Sequence, residues 1–240
     1  MKSLKKSAAC AVVVLAAFGV FAQSGKDEQS VESAYFSTVE DVVITELANS
    51  DERDNKLVAL QYLENAVNEG RATPDMIVAL GNLAGEGVTA QSRTNGRLMN
   101  NYPDIRAKSC ELLGKVGTEE AKQSLVKIAL ADSEPMVITA AVRSLGDIGI
   151  NDRDEVVNTI AWANKRNRVL NPTSSLALEV VIAYEKLADS VEDKNAMVQD
   201  LGAIATNYQY VKPVRDRALE LLKKLQQSGS SSSRGNKDGK

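Results

Sequence analysis

Trp162, Lys165, Arg166 and Arg168 fall within two helical turns of one another, placing the only tryptophan beside the densest run of cations in the chain. An indole flanked by guanidinium and ammonium groups is suited to holding a partner. Tryptophan is a frequent hot spot of protein interfaces, and the cations fit an acidic partner or an anionic headgroup. On the helix expected over 153–165 the apolar stripe is Val156, Val157, Ile160 and Ala161, and at 100° per residue Trp162 points nearly opposite it. Trp162 then stands in a binding groove or packs on a neighbouring repeat. The three cations serve a partner or simply answer the negative end of a helix. A second candidate is 84–101, AGEGVTAQSRTNGRLMNN, a polar break in which Arg93 and Arg97 stand among glycines and asparagines. It reads as a binding loop or as a mobile surface loop.

The chain contains no histidine, which excludes Ser–His and Cys–His nucleophile pairs, histidine general bases and the common imidazole metal sites. Its acids are spread over caps and exposed faces, without a calcium-loop pattern or a glycine-rich phosphate cradle. No catalytic, cofactor-binding or metal-ligating residue emerges, and no cofactor is expected. An enzyme acting on a protein substrate, lyase-like or chaperone-like, would need a pocket with strongly perturbed carboxylates; a binding protein would show a shallow groove around Trp162. A structural component that self-associates through its end repeats is a third possibility.

The ends of the chain speak to location. Lys2, Lys5 and Lys6 precede an apolar run over 8–21 and small residues before Gln23, the three parts of a secretory signal peptide with cleavage after Ala22. The run is shorter than the roughly 20 residues a membrane-spanning helix needs. An exported protein of the bacterial periplasm or cell envelope is expected, with a flexible leader over 23–32 and a disordered serine- and glycine-rich tail over 228–240. Removal of 1–22 takes away lysines and no acid, so the mature chain is more acidic than the formal charge of −3, which argues against nucleic acid as a partner. It also leaves Cys110 as the only thiol, so no internal disulfide can form. Cys110 occupies a repeat position filled elsewhere by Leu60, Val142 and Leu219, and is expected to be buried packing.

What must position all of these is a repeat. Residues 103–117, PDIRAKSCELLGKVG, and 135–149, PMVITAAVRSLGDIG, align at Pro103 with Pro135, Ile105 with Val137, Leu113 with Leu145, Gly114 with Gly146 and Gly117 with Gly149. Further copies follow at 212–225 and, without the proline, at 55–66; 172–186 fits more loosely. The shared positions fall on one face of a helix, and second helices with their own start signals lie between: Thr73-Pro74-Asp75, Thr118-Glu119-Glu120, Asn151-Asp152 and a capping box from Ser190 ahead of 193–206. Neither helix of such a pair hides its apolar face alone, so neighbouring pairs must stack.

The line of proline, branched residue, small residue and Leu-Gly-x-Val/Ile-Gly resembles the HEAT repeat, in the short bacterial form also found in phycobilisome-lyase-like proteins. The resemblance covers most of 33–227. It implies an all-α, HEAT/armadillo-type solenoid of about five helix pairs, with a concave face lined by the second helices and used mainly for binding unidentified protein partners. Arg106, Arg215 and Lys56, at one repeat position, would join neighbouring repeats. Of the enzymatic relatives, the iron-dependent deoxyhypusine hydroxylases need histidine ligands, and the phycobilin lyases act on cytoplasmic proteins; neither fits.

Overall fold

A computed structural model describes residues 31–234, with side chains described for 38–227; the expected signal peptide, most of the leader and residues 235–240 lie outside. The chain forms α1 (Val31–Asn49), α2 (Arg53–Asn68), α3 (Pro74–Ala84), the two-residue strands β1 (Arg93–Thr94) and β2 (Arg97–Leu98), α4 (Pro103–Val116), α5 (Glu119–Ala131), α6 (Pro135–Ile148), α7 (Glu155–Leu170), α8 (Ser174–Leu187), α9 (Asn195–Thr206) and α10 (Lys212–Arg234). A 3-10 turn, Asp152–Asp154, precedes α7.

Local chemistry sets the helix boundaries. Pro74, Pro103 and Pro135 open α3, α4 and α6 where a missing N–H costs nothing. The hydroxyls of Thr73 and Thr118 accept from the amides of Met76 and Ala121. Gly117 and Gly149, both at φ 72°, end α4 and α6 in the left-handed conformation. The capping box expected at Ser190 does not form: α9 starts at Asn195, and the Ser190 hydroxyl donates to the Leu187 carbonyl instead. That turn is held from the neighbouring repeat, where the Asp154 carboxylate accepts from the amides of Glu192 (3.0 Å) and Asp193 (2.7 Å). These amides, the Asp193 one foremost, keep the Asp154 carboxyl below its ordinary value. At the other end α10 runs to Arg234, past the Gln227 boundary expected for the repeats.

The helices stack in two layers. α2, α4, α6, α8 and α10 contact one another in order, and α1, α3, α5, α7 and α9 do the same. Between the layers lies one continuous apolar core, in which Leu63, Leu80, Leu113, Leu125, Leu145, Ile160, Tyr184 and Leu201 are fully buried. The layers explain why the repeated line carries two glycines. The second caps a helix; the first is where the next helix comes closest. A Cβ on Gly114 would stand 2.5 Å from the Ser144 hydroxyl oxygen, and one on Gly146 would stand 2.8 Å from Ala183 Cα.

The polar break between α3 and α4 is built. Asn95 (φ 50°) and Gly96 (φ 80°) form the two-residue turn of a small antiparallel hairpin, β1 with β2. Asn100 holds its base, donating to Glu86 Oε1 (2.6 Å) and the Ala90 carbonyl (2.7 Å) and accepting from the Ser92 amide. The repeat-position cations anchor it from below: buried Lys56 donates to the Ala48 carbonyl and Glu86 Oε2, and Arg106 to the Glu86 carbonyl. Arg106 also grips Asp132, at the end of α5, from Nε (2.7 Å) and Nη2 (3.3 Å), with both side chains almost wholly buried. Arg215, the third of the set, stacks instead on the Tyr208 ring at 4.7 Å.

Candidate binding site on the second-helix layer

α7 places its residues as the 3.6-residue period requires. Val156, Val157, Ile160 and Ala163 are fully buried, while Trp162 is 47% exposed on the other side. The Arg166 guanidinium lies 4.6 Å over the indole, a cation–π contact that fixes one side of the ring. Arg166 is also bound from behind, donating through Nη1 to the Leu130 carbonyl (2.6 Å) and through Nη2 to the Asp132 carbonyl. These carbonyls close α5, so Arg166 answers the negative end of the neighbouring helix, not of its own.

Beside the indole, a cleft of about 350 Å³ opens between α7 and α9, lined by Trp162, Lys165, Arg168, Gln199 and Asp200 with Ala161 and Ala196. Lys165 is exposed at its rim. Arg168 forms a wall, its Nη1 lying 3.7 Å from Asp200 Oδ1 with no hydrogen-bond partner among the described residues. Asp200 is the inner end of the cleft. Its Oδ1 accepts from Asn164 Nδ2 (2.8 Å) and its Oδ2 from the Tyr184 hydroxyl (3.0 Å). Burial pushes its carboxyl up to about 6 against these bonds, and burial likewise holds the Tyr184 hydroxyl well above its ordinary value.

Trp162, Lys165, Arg166 and Arg168 are thus brought together, whereas Arg93 and Arg97 are not part of this cleft. They stand exposed on the hairpin after α3, and α5 lies between α3 and α7 in the layer. Arg93 is spent locally, on Gln91 Oε1 and the Gly96 carbonyl. Asp200 is not among the residues expected from the sequence, although it carries a signal there: in α9 it interrupts the apolar series Met197, Leu201 and Ile204, at a place where α3 has Ala79. A carboxylate on a buried stripe needs partners, and Asn164 and Tyr184 come from the helices packed on either side.

Elsewhere, Cys110 is completely buried, and burial raises its thiol far above the range where a thiolate forms. Lys122, buried on α5, is ringed by Glu119, Glu155 and Asp152. Among the described residues no group of three or more Cys, Asp or Glu side chains is placed to hold a metal ion, and no helix is long and apolar enough to cross a membrane.

A family model for HEAT repeats matches residues 97–169, the stretch from the hairpin to the end of α7 that contains both full copies of the repeated line. The matched stretch is built of HEAT repeats. HEAT repeats make helical scaffolds for protein interaction, and the second-layer helix that carries Trp162 falls within the matched stretch. No curated protein and no solved structure matches the chain.

Proposed function

We propose that this protein is a non-enzymatic adaptor that holds a protein partner on its second-helix layer, in the periplasm or envelope of a bacterium. The observation that carries the reading is Trp162: a large aromatic side chain left half exposed beside a cleft, with one face already fixed by Arg166. A rigid, partly dry aromatic anchor loses little entropy on binding. Lys165 and Arg168 add donors at the rim and wall of the cleft, so an acidic segment of the partner is favoured there.

The test is crosslinking in the source cell and capture of the protein, comparing wild type with Trp162→Ala. A defined partner lost in the variant supports the adaptor; wild type and variant returning the same proteins would overturn the placement of the site. Export is tested separately by cell fractionation and sequencing of the mature N-terminus, expected at Gln23.

Asp200 favours a second reading, an enzyme acting on a protein substrate, because a buried carboxylate raised to about 6 is suited to proton transfer. Binding is the stronger reading, since both Asp200 oxygens are already held by Asn164 and Tyr184. Retention of partner capture by Asp200→Asn is the expected result.

A further inference from the structure

On the reading that a protein partner binds at the Trp162 cleft, we propose that Arg168 is the seat for a carboxylate of that partner and Asp200 its internal competitor, so that protonation of Asp200 tightens capture. Of the side chains that line the cleft, Lys165 and Arg168 are cations and Asp200 is the acid. How well the acid satisfies the nearer cation decides what the cleft can take.

Arg168 is incompletely matched. Its Nη1 is buried, lies 3.7 Å from Asp200 Oδ1 and has no hydrogen-bond acceptor among the described residues. A guanidinium offers a carboxylate two parallel N–H bonds. Arg106 makes both to Asp132, at 2.7 and 3.3 Å. Asp200 gives Arg168 the charge without the bonds, because Asn164 and Tyr184 already hold its two oxygens. The Arg168 side chain is 26% exposed where it lines the cleft, so the guanidinium can turn to a carboxylate that enters.

Asp200 controls that turn. The groups that face it are Arg168 and Asn164 from α7, Tyr184 from α8 and Tyr210 from the turn before α10. On α10 itself Lys212 is paired with Asp216, Arg215 lies on the Tyr208 ring, Arg217 is paired with Glu185 and Lys224 with Glu220. Asn164 and Tyr184 can serve either form of the Asp200 carboxyl, since a hydroxyl donates or accepts and a carboxamide presents both functions. The Asn164 Oδ1 is buried with no partner among the described residues, so turning that amide gives a protonated Asp200 its acceptor. Arg168 has no such freedom, because a guanidinium only donates and keeps its charge.

Ionised, Asp200 supplies the counter-charge of Arg168, and a partner carboxylate must displace it and bear a like charge nearby. Protonated, Asp200 leaves Arg168 uncompensated beside an open cleft, and the partner carboxylate restores the pair. By reciprocity, a bound carboxylate holds the proton on Asp200 more firmly. Burial already brings the Asp200 carboxyl up to about 6. The chain has no histidine, so no side chain at its ordinary value has its midpoint between about pH 5 and 7, and a change in affinity over that range reports Asp200.

Trp162 is the only tryptophan in the chain, so its fluorescence reports the cleft. The purified protein is titrated at constant ionic strength with a capped Gly-Asp-Gly peptide, whose carboxyl is ionised from about pH 5 upward, and with its uncharged Gly-Asn-Gly counterpart. Asp200 is roughly nine-tenths protonated at pH 5 and one-tenth at pH 7, so the acidic peptide is expected to bind about tenfold more weakly at pH 7. The uncharged peptide binds weakly and equally at both. Asp200→Asn should hold the acidic peptide at pH 7 as tightly as the wild type does at pH 5, and Arg168→Gln should no longer tell the two peptides apart. Thermal melts check that both variants fold, and the wild-type pH profile decides the matter on its own if either does not. Unchanged fluorescence with the acidic peptide at pH 5, or equal affinity at pH 5 and 7, would overturn the seat. A flat profile beside partner capture that is lost in Trp162→Ala removes the seat and leaves the adaptor; the expected profile in a protein that captures no partner removes the adaptor and leaves the seat.

Discussion

Asp200 carries the clearest electrostatic consequence at the residue scale. Its carboxyl is raised from 3.8 to about 6, so between those values the folded protein holds a proton that the unfolded chain has released. The stability contributed by that proton is complete below about pH 4 and is lost as pH rises through 6, an effect on the order of 3 kcal/mol. Asp200→Asn keeps an acceptor for its neighbours and cannot ionise, so its melting temperature should gain on that of the wild type as pH is raised from 4 to 7. A constant difference across that range would show that Asp200 is not the titrating group. Trp162 behaves oppositely. Half exposed, it contributes mainly to recognition, and Trp162→Ala should cost no more than about 1 kcal/mol in chemical denaturation. A loss of several kcal/mol would reveal a core residue.

At the scale of elements, Arg106 and Asp132 show how one repeat is fixed to the next. Arg106 rises from α4, binds the carboxylate that ends α5 and supports the Glu86 carbonyl beneath the hairpin, so two connections share one guanidinium. Burial makes the pair costly to break on one side: Asp132→Ala should destabilise by about 3–5 kcal/mol, because Arg106 would keep its charge without a counterion. Denaturant titration measures this, and a loss below about 1 kcal/mol would mean that water reaches the site. The hairpin was not expected from the sequence, which read 84–101 as a polar loop, although Asn95-Gly96 is a strong short signal for a two-residue turn. What periodicity could not show was its base, which needs Asn100, Glu86 and Lys56 to meet from three different segments.

Across the array stability is passed from neighbour to neighbour, because among the described residues each helix touches those beside it and opposite it and no others. A wedge at one junction should therefore loosen that junction first. Gly146→Leu would drive a side chain into the backbone of Ala183, and hydrogen exchange should rise on α6 and α8 while α2 and α3 keep their protection. Uniform loss along the chain would point to a single cooperative unit instead.

The sequence by itself determined the repeat, the helical class, the caps at Thr73 and Thr118 and the outward face of Trp162. All of these follow from contacts within a turn or two of one helix, which the 3.6-residue period records. Tertiary structure decided what those faces meet. Arg166 serves the end of α5, Asp200 is paired between α7 and α8, and the first glycine of each repeated line is a point of contact with the next repeat. The same packing separates Arg93 and Arg97 from Trp162. Such outcomes depend on groups separated by a repeat length or more, and no local pattern encodes which of them come into contact.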